Sequence, residues 1–249
     1  MLEGVYTIWL REMKNFLRAR SRIVSSVAMP FFWIVLMGVG LGSAFREGVV
    51  GFDYLTFMAT GIIGMALLFN SMFSGVSVVM DRRFGFLKEV FVAPIPRSSI
   101  IIGKTIGGSF VAMVTGIIVM VLSFVLASVP VSVGILPALV FMFMTSFVFI
   151  GMGLLIASRM DSMEGFNMIM SFVMMPTFFT SGIFYPISQT PAWLQGISMI
   201  NPLTYGVDGI RASLLGVAQF PLWVDFVVLA GFFIGLVSIA SWFFRKMEI

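Results

Sequence analysis

The chain has 249 residues, 59% of them from the AVILMFWYC set, only 10% charged, with a net charge of +4. A soluble domain carries about 25% charged residues, so this chain lacks the polar surface to cover a core. Its mean hydropathy of +1.08 excludes a soluble fold. With no Cys and no His, disulfides, thiolate nucleophiles and the commonest general base and metal ligand are excluded as well, and no catalytic, cofactor-binding or metal-ligating set is expected.

The first element is an amphipathic helix over residues 3–22. Val5, Trp9, Met13, Phe16 and Leu17 fall on one face, and Glu3, Thr7, Arg11, Lys14 and Arg18 on the other. Such a helix lies in the headgroup layer, with Trp at the boundary and basic residues toward anionic lipid. The alternative is a helix packed on its neighbours that leads into the first span. Six apolar stretches follow, each near the ~20 residues that cross ~30 Å of hydrocarbon. They cover residues 23–45 with Pro30, 55–80 with Asn70, 100–129 with Lys104, 133–158 with Pro137, 165–185 with Pro176, and 222–244 with Asp225 at the mouth. The third and fourth are separated only by the Val129-Pro130 neighbourhood. The first run exceeds the 7–15 residues of a signal-peptide core, so a cleaved leader is not expected.

Two segments between spans carry more than a connection needs. Residues 81–97 open on Asp81, Arg82 and Arg83 and close on Pro94 and Pro96. Between them, Phe84, Leu87, Val90 and Phe91 make an apolar face at helical spacing. A short helix with exposed apolar and charged groups beside a membrane meets either lipid or a protein partner. Residues 186–221 are mostly too polar to span. There Asn201 is placed to cap a helix that Pro202 starts, and that helix carries Asp208 and Arg211 on one face. A helical hairpin here covers the mouth of a pathway or serves as a structural lid.

Charge sets the orientation. All of the 15 Lys and Arg except Arg46 and Arg211 fall on the side that holds both termini. By the positive-inside rule that side is cytoplasmic, which makes the protein multi-pass in the cell membrane with both termini inside. The basic pI is this asymmetry, and no folded basic face for nucleic acid is present. Two further patterns carry little. Gly103-Lys104-Thr105 imitates the tail of a phosphate-binding loop, but the Gly required five residues before Gly103 is Ser98. The GxxxG spacings at Gly38/Gly42, Gly103/Gly107 and Gly231/Gly235 permit close helix packing without specifying a partner.

Residues 81–104 and 201–211 together resemble the membrane subunit of an ABC-2 type transporter, close to the daunorubicin-resistance-like drug exporters. The resemblance rests on the run Phe84-Gly85-Phe86-Leu87-Lys88-Glu89, on Ala93-Pro94, Arg97 and Gly103-Lys104, and on Asn201-Pro202-Leu203-Thr204-Tyr205 followed by Arg211. It implies an all-α polytopic membrane protein, a single transmembrane domain over residues 1–249. That domain has six transmembrane helices, an interfacial helix (1–22), a cytoplasmic coupling helix (81–97) and an extracellular helical hairpin (186–221). It implies that Arg82, Arg83, Phe84, Gly85, Phe86, Leu87, Lys88, Glu89, Val90, Phe91 and Pro94 meet a separate ATP-binding subunit, which holds the ATP and Mg. It also implies two copies of each chain, set in lipid, exporting a drug, lipid or lipid-linked compound. Asn70 and Phe178 fall on spans near the dimer seam of such proteins, and no residue is assigned to substrate.

Three other classes compete. An ion-coupled transporter needs ionisable groups at mid-membrane, whereas Lys104, Arg159 and Asp225 sit near span ends. A membrane enzyme has only Asp161 with Glu164, or Asp208, to draw on. A passive channel leaves the helix at 84–92 without a purpose.

Overall fold

The computed structural model describes residues 2–38, 40, 49, 51–83, 97–160 and 162–246. Regular structure in these residues is helical, apart from an isolated antiparallel bridge between Val49 and Phe52. Helix α1 (Leu2–Arg18) is the expected amphipathic element. The chain breaks at Ala19, α2 (Arg20–Phe32) follows, and just past Pro30 the helix loosens into a π turn over Trp33–Met37. Pro30 has no N–H to give, which removes one rung of the helical ladder at that point. Between Glu3–Arg18 and Ile23–Met37 the direction changes by 68°.

Helix α3 (Tyr54–Phe73) and α4 (Val76–Arg83) are nearly continuous, interrupted only at Ser74-Gly75. Helix α5 (Arg97–Leu126) and α6 (Ile135–Ala157) are separate, and Ser128, at φ 51°, lies in the connection between them. Then come α7 (Met163–Phe179), a single 3₁₀ turn (Ile187–Gln189), α8 (Ala192–Ile200), α9 (Pro202–Leu215) and α10 (Leu222–Lys246).

Three stretches are long and apolar enough to cross a membrane: Tyr54–Asp81, Ile102–Leu126 and Ile135–Ala157. This fits a polytopic membrane protein. The bent pair at the N-terminus is a fourth if read as one span, and Leu222–Leu236 is a shorter apolar helix. Residues 39 and 41–45 of the expected first span lie outside the described residues. The expected fifth span, 165–185, is helical only to Phe179, three residues past Pro176, and then turns.

Helix α3 forms the centre, with α5, α6 and α9 packed around it. Of its most apolar window, 72% is buried. In lipid, helices gain little from hydrophobic association and rely on close van der Waals contact through small residues. Here that contact is backbone to backbone. A Cβ added at Gly75 would lie 2.4 Å from the Gly153 carbonyl oxygen, and one at Gly153 would lie 2.6 Å from the Met72 carbonyl oxygen. The buried hydroxyls of Ser109, Thr115, Ser123 and Thr145 are satisfied locally, each donating to a carbonyl one turn back. Replacing Gly153 with Ala should therefore destabilise the bundle by about 1–3 kcal/mol, the usual cost of overpacking, and lower its unfolding midpoint in detergent. Gly235→Ala, where nothing lies within 4 Å of the added Cβ, should leave the midpoint unchanged.

Candidate functional site

Two polar clusters stand at opposite ends of the bundle. The first joins α1, α4 and α5. Helix α1 lies along α5 because Gly103 and Gly107 present no side chain there. A Cβ on Gly103 would come 2.8 Å from Cβ of Ile8, and one on Gly107 2.9 Å from Cβ of Glu12. Lys104, between the two glycines, is thereby brought into the seam. Its Nζ lies 2.7 Å from Asp81 Oδ2 and 3.2 Å from Glu12 Oε1, and donates to Ser77 Oγ at 2.9 Å. Arg11 grips the same Asp81 with two nitrogens, at 2.7 and 3.2 Å. Two cations and two anions balance. The Lys104 side chain is 3% exposed and that of Asp81 8%. The bond to Asp81 raises the Arg11 pKa above its ordinary value, against the cost of partial burial.

This arrangement differs from the amphipathic pattern in the sequence. Arg11, expected on the polar face, turns into the protein, and Leu17, expected on the apolar face, is 61% exposed. Phe16 and Met13, on the apolar face, are buried, as in the alternative of a helix packed on its neighbours. Arg82 and Arg83 close α4 directly after Asp81. Phe84, Gly85, Phe86, Leu87, Lys88, Glu89, Val90, Phe91 and Pro94 lie outside the described residues. The network is thus rooted where the chain enters and leaves residues 84–96, with Asp81 on one side and Lys104 on the other.

The second cluster is at the other end, around α9. Asn201 caps α9, its Oδ1 accepting from the Leu203 N–H at 2.9 Å, with Pro202 at the first position. Its Nδ2 donates to the Thr177 carbonyl at 2.7 Å, which ties the cap to α7. The Tyr205 hydroxyl donates to the Met199 carbonyl at 2.7 Å and its ring stacks on Phe220. Gly216 ends the helix at φ +73°, a left-handed conformation that suits Gly. The motif residues Asn201, Pro202, Tyr205 and Arg211 are all brought into this one region.

Arg211 is the cluster's charge. It is buried, with its guanidinium 3.7 Å over the Phe57 ring. It donates to Thr60 Oγ1 at 3.3 Å and to the carbonyls of Phe57, Gly182 and Ile183 at 3.1 to 3.4 Å. One arginine thus fastens α9 to α3 and to the turn after α7. Burial brings its pKa down to about 10, and the Asp208 charge opposes that shift; it remains a cation at neutral pH. Asp208 faces elsewhere, accepting the Gln219 and Phe220 N–H groups at 2.8 to 2.9 Å. Burial pushes the Asp208 carboxyl above the ordinary carboxylate range despite those bonds.

Two cavities accompany these elements. One of about 110 Å³ lies beside Arg211, lined by Phe57, Ser181, Thr204, Asp208 and Gln219 among others. The other, about 220 Å³ and mostly apolar, lies between α2 and α3 and includes Ser25, Met29, Met65, Phe69 and Asn70. Asn70 lines the second, although its amide donates to the Ala66 carbonyl of its own helix. Phe178 lines neither, and sits in an aromatic cluster with Trp33, Phe69 and Phe184.

The sequence missed the partners of Lys104. A lysine flanked by glycines one before and three after was the available signal, since those positions admit another helix. It placed Asp225 at the start of the last apolar run, where the structure has it in the first turn of α10, but carried no sign that the residue is completely buried. Asp161 lies outside the described residues, so its relation to Glu164 is not described; Ser162 caps α7 by accepting from the Gly165 N–H.

Comparison with known proteins agrees with this layout. The model of a family described as ABC-2 type transporter matches residues 3–215. The inner membrane transport permease YadH of Escherichia coli strain K12 is 28% identical over 230 residues, which is 92% of this chain and 89% of that protein. The putative transport permease ycf38 of Porphyra purpurea is 27% identical over 200 residues, covering 78% of this chain and 68% of the relative. Nodulation protein J of Rhizobium leguminosarum bv. viciae is 24% identical over 212 residues, covering 84% and 81%.

Removing one partner of a buried ion pair leaves the other uncompensated, at about 3–5 kcal/mol. Asp81→Asn, which strips the shared carboxylate from Lys104 and Arg11, should cost that much, read as a lowered unfolding midpoint of the purified chain. Glu3→Gln, at an exposed position of α1, the helix that carries Arg11, should have no effect.

Proposed function

This chain belongs to the ABC-2 type transporter family, and from that premise we propose that it is the membrane subunit of an ATP-driven exporter, powered by a separate ATP-binding subunit. Family membership over residues 3–215 makes it a transport permease of an ABC system. The export direction, the partner and the cargo are inferences beyond that. The observation that supports a partner docking at residues 84–96 is the Arg11–Asp81–Lys104–Glu12 network, a polar joint at their root.

In this reading residues 84–96 form the coupling helix, with Phe86, Leu87 and Phe91 as apolar anchors and Arg82, Arg83, Lys88 and Glu89 as polar contacts. Two copies of this chain pair with two ATP-binding subunits, which supply ATP and Mg. Closure of those subunits displaces the coupling helix, and the network passes the displacement to three elements together. Asp81 carries it into the α3–α4 rod, Lys104 into α5, and Arg11 with Glu12 into α1. A joint of paired charges suits this task, because sliding any one element alone would leave a buried charge uncompensated. The α8–α9 hairpin closes the far mouth, fastened to α3 by Arg211. Six spans with both termini in the cytoplasm complete the topology. The cargo is a hydrophobic or amphipathic compound, which the apolar cavity between α2 and α3 suits.

The ion-coupled alternative finds little support in the bundle. Helices α3 and α6 carry no Asp, Glu, Lys or Arg at all, and Lys104 and Asp81 are held in pairs with each other.

Two outcomes are expected. A tag inserted after Arg46 should be reached from outside intact cells, and one after Arg83 should not; the reverse would overturn the orientation. In the complex purified from native membrane, Leu87→Asp or Glu89→Arg should reduce cargo-stimulated ATPase activity at least tenfold while the chain still inserts. A chain that purifies without any ATP-binding subunit, yet moves solute in liposomes, would overturn the exporter reading.

A further inference from the structure

Every buried charge described above has a partner except one. Asp81 is held by Arg11 and Lys104, Arg211 by three carbonyls and a hydroxyl, and Asp208 by backbone N–H groups. Asp225, on the first turn of α10, is 0% exposed, and neither of its carboxylate oxygens has a hydrogen-bond partner. An isolated buried carboxylate is far too costly to persist as an anion; the group neutralises instead.

Among the described residues, the elements packed most closely against α10 offer Asp225 no countercharge. Helix α6, its most extensive neighbour, carries no ionisable residue. Helix α9 carries Tyr205, Asp208 and Arg211. The Tyr205 hydroxyl is spent on Met199. The Asp208 charge is near enough to act on Asp225, and it repels. Arg211 is turned to α3 and the turn after α7. Helix α5 brings only Arg97 and Lys104, both in its first turns, and Lys104 is engaged at the α1 seam. Asp53 and Tyr54 stand at the start of α3, which packs on α9.

We propose that Asp225 is a proton-binding site that couples the seating of α9 on α10 to pH. With the two helices packed, the carboxyl carries its proton. When they part, water reaches the group, and above its ordinary value of about 4 it loses that proton. The proton is released to water and no other bond changes. Because the proton is held only in the packed form, that form is favoured by acid and loses ground as pH rises from the range of a hydrated carboxyl. The site therefore sets how readily the α8–α9 hairpin lifts, and a more alkaline medium on that face loosens it.

The absence of Cys from the chain gives a clean test on the full protein, purified with its native partners into lipid nanodiscs. Leu215→Cys reports on the buried end of α9, and Val131→Cys, at a position 73% exposed, corrects for thiol chemistry. The ratio of maleimide labelling rates at the two positions should rise about fivefold or more between pH of about 5 and about 8, within the tenfold per pH unit that one proton permits. With Asp225→Asn, which has the same shape but cannot ionise, the ratio should be low and flat. An equal pH dependence in Asp225→Asn overturns the proposal. Infrared spectroscopy of the unlabelled parent provides a second measurement that stands even if the Asn variant does not assemble. A protonated-carboxyl band at neutral pH, retained in Asp208→Asn, supports the site, and its absence overturns it. Neither measurement involves ATP or cargo, so each is independent of the exporter reading.

Discussion

A bilayer interior supplies no water to a charge, and the two ends of this bundle are built around the charges that must nevertheless be held there. Lys104 governs one end. It is buried, so it needs anions, and the anions come from two other helices: Asp81 at the end of the α3–α4 rod and Glu12 on α1. Satisfying one ammonium therefore fixes three elements relative to each other. Arg11 completes the balance by taking the remaining demand of Asp81. At the other end Arg211 plays the corresponding part with carbonyl oxygens instead of carboxylates. The first joint is neutral and stiff. The second sets a buried cation on carbonyl dipoles, with the Asp208 charge near it, and fastens one helix to another.

Between these ends the bundle is held by proximity. Gly75, at the break in the α3–α4 rod, and Gly153 let that rod and α6 meet at the backbone. Gly64 and Gly206 seat α9 closely by accepting the side chains of Val207 and Thr145. Dispersion contact at this range is what lipid cannot supply equally well. The two devices depend on one another. Gly103 and Gly107 bring α1 near enough for Glu12 to reach Lys104, and the ion pair then holds α1 in place. For a transporter this division is useful, because charge joints move as units while glycine seams allow helices to slide.

Much of this was legible in the residues. Apolar run lengths located α3, α5, α6 and α10. Pro176 marked where α7 would give way. Asn201-Pro202 gave the start of α9 to the residue, because a cap and a first-turn proline act within a few bonds of each other. Other features were not legible for the same physical reason in reverse. Arg11 reads as a surface residue in a 3.6-residue period, and only the approach of Asp81, 70 positions away, turns it inward. Leu17 reads as part of the apolar face by that period, and it is exposed while Met13 and Phe16 of the same face are buried. Asp225 stands beside Pro221 and Leu222 like a helix-start acid, and nothing local announces that it is completely buried.

The sequence by itself determined that this chain is helical and belongs in a membrane. Composition leaves no polar surface for water, and backbone groups in lipid must bond within their own segment. It also determined the family, through motifs whose residues are neighbours in the chain. Tertiary structure alone decided which charges meet. Ion pairing depends on side chains from segments tens of residues apart arriving within 4 Å, and their register is set by glycine contacts and burial. Periodicity along a single helix carries no record of either.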